Sequence, residues 1–459
     1  MRSTTWLPRR SGPLLGAAVA MACGVGLFLP GVTATASAAP AKPLLVHTLP
    51  SSYVTMTPTR VTDTRPASGF PNSGAPVAAG GSLNVDVSGF VPATATSVSL
   101  SVTAADAKKA GYLSVLPFGT PQSTPPTSVL NFVAGGPTCT TVDCVVPNLV
   151  VSKVAAGQVT IINGSAGTVD VVVDLEGYFD PIGALTNGAG HYTAVTPYRT
   201  ADTRCAVSSP PPFCAAETSL TTNTTPALGA GGTLDVPIIP GIEAVAVQIT
   251  ATNTRVPSND YLTAYATGST RPLASNVNFV SGQTTSTRAI VPVDPVTNGI
   301  TIFNFTGKAD IVVDVAGYFS DTTSDPTQGS LYTPISPVRM LDTRPGTIGA
   351  GASLALQVSG SGGIPASANG SPTAAVLDVT EASSTTPPAT PAFLTVTPDL
   401  LVPPATTSDV NFVGGETRAN ADLATLSDTG AVSIYNYSGT TGVAVDAFGY
   451  FSHVATFLG

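Results

Sequence analysis

The chain has 459 residues, of which 43% are hydrophobic and only 10% charged, with 45 Gly and 41 Pro. That length is too great for one ordinary core and implies about three domains, while few charges and many turn formers, Val and Thr argue for strands over long amphipathic helices. With 27 Asp and Glu against 18 Lys and Arg, the acidic balance argues against nucleic acid as a partner, because phosphate recognition rests on basic patches.

Residues 1–38 read as a secretory signal peptide. Arg2, Arg9 and Arg10 precede an apolar stretch over 13–30, and Ala36-Ser37-Ala38 supplies the small-residue cleavage pattern. SGPLL after Arg9-Arg10 fits a twin-arginine signal poorly, and Cys23 sits in a weaker processing context than the site downstream. Cleavage removes three Arg and the only Trp, Trp6, and moves the formal charge from −9 to −12. No later stretch is long and apolar enough to span a membrane, so the mature product is expected to be exported. Residues 39–52 read as a disordered lead-in.

Tyr53, Tyr192 and Tyr332 then open three copies of one unit, over 53–180, 191–320 and 331–453. Each begins with a charged phrase: TPTRVTDTRP (57–66), TPYRTADTRC (196–205) and SPVRMLDTRP (336–345). SVSLSVTA (97–104), GYLSVLP (111–117), SVLNFVAGG (128–136), VTIINGS (159–165) and VVVDLEGYF (171–179) recur in that order in the later copies. Repeats this long are whole domains rather than solenoid turns. In SVSLSVTA, Val98, Leu100 and Val102 alternate with Ser, the period of a half-buried strand. VDVVVDLEGYF (169–179) has mixed faces, which predicts a central strand with Asp174 in need of a partner. About eight strands per copy predict an all-β chain of three tandem β-sandwiches, Ig-like or jelly-roll, of about 130 residues each. The polar linkers over 180–190 and 320–330 would let the three sit in a row.

The mature chain keeps four Cys in two local pairs, Cys139 with Cys144 and Cys205 with Cys214, which read as loop disulfides in an exported protein. His47, His191 and His453 are the only histidines, so neither a metal site nor a cofactor is expected. Asp170 with Asp174 and Asp310 with Asp314 suggest calcium only weakly, since Gly442 stands at the Asp170 position of the third copy and no Asp-rich loop accompanies the pairs. Asn163, Asn304 and Asn436 are formal glycosylation acceptors, but their place between strands favours a turn role.

Six of the ten Arg in the mature chain sit in the opening phrases: Arg60 and Arg65, Arg199 and Arg204, Arg339 and Arg344. Asp63, Asp202 and Asp342 lie between them. Strand alternation puts Asp63 and Arg65 on one face and Arg60 on the other. The structural reading pairs one Arg per copy, Arg65 in the first, with the carboxylate before GYF: Asp174, Asp314 or Asp446. The functional alternative is an anion or polysaccharide-carboxylate site in every copy. Recurrence in all three copies, with the acids recurring too, favours the structural reading.

Catalytic signatures are missing: there is no G-x-S-x-G elbow, no H-E-x-x-H and no Gly-rich loop opening a helix. A carboxylate pair for glycoside hydrolysis could be sought, for instance, among Asp106, Asp174 and Glu176, yet Glu176 becomes Ala316 and Phe448 in the other copies. No catalytic residues are assigned, and a hydrolase ranks last among the functions considered.

The ordered set P-x-R-x-x-D-T-R, S-x-[LV]-N-F and D-x-x-G-Y-F resembles a repeat found in secreted and surface proteins of high-GC Gram-positive bacteria, alone, in tandem or appended to exported hydrolases. The resemblance covers nearly all of the chain beyond Ser52 and implies an extracellular accessory or surface module without an activity of its own. The resulting expectation is a secreted, non-catalytic binding or adhesion module for cell wall, glycan or protein. A self-associating structural surface protein is the alternative.

Overall fold

The computed structural model describes residues 49–135, 145–181, 186–206, 208, 210, 214, 225–367, 372–382, 384, 391–398 and 407–455. The expected signal peptide, most of the expected lead-in and the Cys139 and Cys144 pair read as a loop disulfide lie outside the described residues. The described residues form one compact unit.

In the first copy the strands are β1 (Ser52–Asp63), β2 (Ser82–Asp86), β3 (Ser97–Ala105), β4 (Gly111–Pro117), β5 (Leu130–Phe132), β6 (Val145–Lys153), β7 (Gln158–Asn163) and β8 (Asp170–Asp180). They pair as two four-stranded antiparallel sheets, β1-β8-β3-β6 and β2-β7-β4-β5. That order is the jelly roll, two interleaved Greek keys, which decides between the two sandwich types left open by the strand count.

The second copy repeats the order with β9 (Tyr192–Asp202), β10 (Thr233–Pro237), β11 (Ile242–Arg255), β12 (Asp260–Ala266), β13 (Val277–Phe279), β14 (Thr285–Pro292), β15 (Gly299–Asn304) and β16 (Lys308–Ser320). The third has β17 (Ser330–Asp342), β18 (Ser353–Gln357), β19 (Pro372–Ala382), β20 (Ala392–Thr397), β21 (Val410–Phe412), β22 (Thr417–Thr425), β23 (Ala431–Asn436) and β24 (Gly442–His453). As the mixed faces of 169–179 required, β8 lies between β1 and β3.

The copies do not sit in a row. The starts of β1, β9 and β17 converge: Ser51 and Tyr332 exchange two backbone hydrogen bonds of 2.9 Å, the Tyr53 amide donates to Gly190, and Ser330 pairs with Tyr192. That last pairing joins the inner sheets of copies two and three into one eight-stranded sheet. Around this point Tyr53, Tyr192, Tyr332 and the final Phe of each GYF form a six-ring cluster. Phe179, Phe319 and Phe451 lie 6.2 to 6.3 Å apart, and each Tyr packs, tilted or edge-on, between its own Phe and that of a neighbour at 4.3 to 5.1 Å. The GYF phenylalanines therefore pack between copies instead of closing the bottom of each separate core.

Convergence also changes the faces of the inner strands. All nine residues of β3 are buried, although their alternation predicted a half-buried strand. Val98, Leu100 and Val102 fill the sandwich core, and the serine face is small enough for close approach: Ser99 bonds the hydroxyl of Tyr53 in its own copy at 3.1 Å, and Ser101 the Ser275 carbonyl of the neighbouring copy at 3.3 Å.

The invariant Gly of GYF has a steric cause. Each Tyr hydroxyl donates to the carbonyl just before this Gly, at 3.2 Å from Tyr53, 3.1 Å from Tyr192 and 3.0 Å from Tyr332. A β-carbon at Gly177, Gly317 or Gly449 would collide with the ring. We therefore expect Gly317→Ala to cost about 1–3 kcal/mol, the cost typical of overpacking, while Gly89→Ala, with open space around it, stays within about 0.5 kcal/mol. Thermal unfolding of the two variants checks this; equal melting temperatures would contradict the packing argument.

Candidate functional site

The opening phrases build the same chain of alternating charges in every copy. Arg60 forks Asp174 through Nε and Nη2 at 2.9 and 3.0 Å and reaches Asp63 with Nη1 at 3.3 Å. Arg65 then forks Asp63 at 2.9 and 2.6 Å. Arg199, Arg204, Asp202 and Asp314 repeat this arrangement, as do Arg339, Arg344, Asp342 and Asp446. Two cations thus match two anions, running from a buried carboxylate outward to a partly exposed Arg; in the first copy the Asp174 side chain is 2% exposed and that of Arg65 45%.

Two sequence expectations are corrected here. It is Arg60, not Arg65, that answers Asp174. Arg60 and Asp63 also share a side, because the register of β1 on β8 shifts between Arg60 and Thr62, and a bulge resets the alternation. The equivalent shifts recur in β9–β16 and β17–β24.

Threonine of the D-T-R triplet has its own task. In the first two copies its hydroxyl donates to Asp170 or Asp310 and accepts a backbone amide of the last strand. Asp170 and Asp174 are thus engaged by Thr64 and Arg60. Among the described residues no His, Cys, Asp and Glu cluster suited to a metal is found.

Electrostatics follow burial. Burial pushes Asp174, Asp314 and Asp446 above the usual carboxylate range even though each is forked by an Arg. The more exposed Asp342 is held at about 2 by the hydrogen bond from Arg344. Asn163, Asn304 and Asn436 are fully buried, and each donates its side-chain amide to three backbone carbonyls. They are turn anchors, with their amides enclosed. Cys205 and Cys214 form a disulfide.

Between the copies lies a second polar layer. Asn276 donates to Glu176 at 3.2 Å across the first junction. Across the second, the fully buried Arg288 reaches Asp409 and Asp422 at 2.7 and 2.6 Å, and Gln248 donates to the Asp409 carbonyl at 2.7 Å. Across the third, Asn148 donates to Asp378 at 3.0 Å while accepting from the Ala421 amide, and the Ser128 amide donates to Asp446. Asn420 reproduces the grip of Asn148 one copy on, bonding Gln248 and the Arg288 amide.

Sequence reasoning missed this layer because, Asn148 and Asn420 apart, its residues differ from copy to copy. The available signal was a single polar residue inside an otherwise apolar strand, as in VVPNLVV (145–151) and TSTRAIV (285–291). Asp174 and Glu176, two of the three acids weighed for glycoside hydrolysis, belong to this closed region, at 1% and 2% exposure; Asp106 sits apart, just beyond β3.

Aromatic side chains gather on the outer sheets as well. Tyr261 stacks on Phe305 at 4.6 Å and Phe393 on Tyr437 at 4.5 Å, with Phe305 and Tyr437 largely exposed. Tyr112 holds the same place in the first copy, with Gly164 beneath its ring. The Arg271 guanidinium lies 4.2 Å over Phe303.

No protein-family model matches the sequence, and no curated protein matches it. Solved structures it is similar to include a protein of Sulfolobus Turreted Icosahedral Virus, with 11% identity over 87% of this chain and 90% of that one at a TM-score of 0.17. A chain described under "The Triple Jelly Roll Fold and Turret Assembly in an Archaeal Virus" has 11% identity over 88% and 90% at 0.18. The CBM22-1-CBM22-2 tandem domain of Paenibacillus barcinonensis Xyn10C has 13% identity over 60% and 96% at 0.18. Likenesses this loose carry no argument, and the jelly-roll assignment rests on the strand pairing above. No helix among the described residues is long and apolar enough to cross a membrane.

Two predictions test the charge chain and the junctions. Arg60→Ala leaves Asp174 buried and unmatched and should cost about 3–5 kcal/mol, whereas Arg65→Ala, at the exposed end, should cost about 1 kcal/mol or less; chemical denaturation of both variants decides, and the reverse ranking would contradict the assignment. Burial, with Asp174 nearby, raises Glu176 from 4.5 to about 8. An acid that holds its proton more tightly when folded confers stability that is complete at low pH and is lost as pH rises between those values. Glu176→Gln should therefore melt a few degrees above the wild type at pH 9 and no higher at pH 4; an unchanged pH profile would contradict this.

Proposed function

We propose that the mature chain is an exported, non-catalytic β-sandwich protein that binds an extracellular ligand through its outer surface. The observation that carries this reading is the recurrence, at one repeat position, of a stacked aromatic pair with an exposed ring, Tyr261 with Phe305 and Phe393 with Tyr437. A soluble protein gains nothing in folding from leaving such rings in water, and exposed aromatic clusters are characteristic of binding surfaces.

Two further observations support it. The signature Arg residues are matched within their own copies, which argues against an anion site built from them. The inner faces, the natural surface for self-association, pack against one another within a single chain, so the structural alternative loses its most suitable interface.

The test is co-sedimentation of residues 39–459 with insoluble peptidoglycan, chitin and cellulose. Wild type should pellet with at least one polymer, and the double variant Phe305→Ala/Tyr437→Ala should stay in the supernatant with its melting temperature unchanged. Equal pelleting of both would remove the aromatic pairs from the account, and turnover of any polymer would overturn the non-catalytic reading.

A further inference from the structure

Where copies two and three meet, two clefts of about 280 and 150 Å³ adjoin, sharing Thr284, Phe393 and Asn411 in their walls. Together they reach the size of small-ligand sites. One wall belongs to each copy, so the groove exists only because the two sandwiches dock.

Its chemistry is specific. Gln283, Thr284, Thr250, Thr252, Ser408 and Asn411 line it with hydroxyls and amides, groups that both donate and accept hydrogen bonds. Thr252 and Thr284 bond each other at 2.8 Å, Asn411 Nδ2 donates to Ser286 and Ser408, and Gln283 Oε1 accepts from the Val280 amide, so a ligand would meet the other amide atom, Asn411 Oδ1 and Gln283 Nε2. Phe393 is the aromatic element, steadied by the Tyr437 ring stacked on it. The charged residues of the walls are already matched: Arg199 by Asp314 and Asp202, Arg204 by Asp202, and Glu416 by Arg418.

A neutral, hydroxyl-rich ligand with one apolar face meets every part of that lining. A sugar ring is such a ligand, since its C–H face can lie on an aromatic ring while its hydroxyl rim faces amides and alcohols. A polyanion would find the arginines engaged and the chain net acidic at −9. A peptide adding itself as a strand would need the open edge of β21. That edge is partly taken: the Asp409 carbonyl accepts from Gln248 and Asn420, and the Val413 amide donates to Glu416.

We propose that this groove is a binding site for an uncharged oligosaccharide, with one sugar ring on Phe393 and its hydroxyls bonded to Asn411, Thr284 and Gln283. The proposal rests on the reading of the outer surface as a ligand-binding one and adds its place and ligand class.

Calorimetric titration of the full mature protein with cellohexaose, xylohexaose and chitohexaose, and with an oligogalacturonate as the anionic probe, tests it. At least one neutral oligomer should bind, and the oligogalacturonate should not. Phe393→Ala should raise Kd about tenfold, as truncating an aromatic anchor does, and Thr284→Trp, which fills the shared wall, should do the same. Val296→Ala, an exposed position of copy two outside both the groove and the aromatic pairs, should leave Kd unchanged. Thermal melts establish that each variant is folded, and Thr284→Trp keeps the test open should Phe393→Ala unfold. Undiminished binding by both groove variants, together with loss in Phe305→Ala, would overturn the groove and leave the outer-surface reading intact. Preference for the anionic probe would overturn the ligand class, and absence of binding to every probe would overturn the proposal.

Discussion

Six aromatic rings hold the molecule together. Tyr53, Tyr192, Tyr332, Phe179, Phe319 and Phe451 meet where three first strands begin and three last strands end, all fully buried. Buried rings of this size dominate core energetics, and their geometry dictates the sequence around them: Gly must precede Tyr-Phe in each closing phrase so that the opening Tyr has room. One packing requirement thus links the two ends of every copy and all three copies to one another.

Around the hub, polar groups take over. Each inner sheet buries both faces, one against its own sandwich and one against the neighbouring copies, and the charge chains run along its edge. Buried ion pairs add little net stability compared with well-packed apolar side chains, but a mismatched one is costly. The junctions use different sets: Glu176 with Asn276, Arg288 with Asp409 and Asp422, Asn148 with Asp378. Exchanging copies would leave Arg288 facing no acid, so these pairs oppose any other order of docking. The same closure produces the groove at the second junction.

Much of the fold was legible because local pattern governs it. Every strand expected in the first copy exists, and the central place of 169–179 followed from its mixed faces. The sandwich type did not follow, since strand order depends on pairing between distant segments. The serine face of β3 looked solvent-facing because alternation reports polarity, and a serine face can as well meet another sheet. Arg60 was assigned to the wrong side because a bulge, invisible in the residue pattern, shifts the register of β1. The signature phrases were legible as structural by their repetition; the junction residues were not, because, the Asn148 and Asn420 pair apart, each junction is built from different side chains. The outer aromatic pairs were written in GYLSVLP and VTIINGS and their counterparts, but only folding brings Tyr261 onto Phe305.

The central claim is that three sandwiches close on one aromatic hub. Small-angle X-ray scattering of residues 39–459 tests it most directly. A compact body of this length should give a radius of gyration near 22 Å. Three separate sandwiches in a row would give a value above about 30 Å by the same scaling, and that result would contradict the closure.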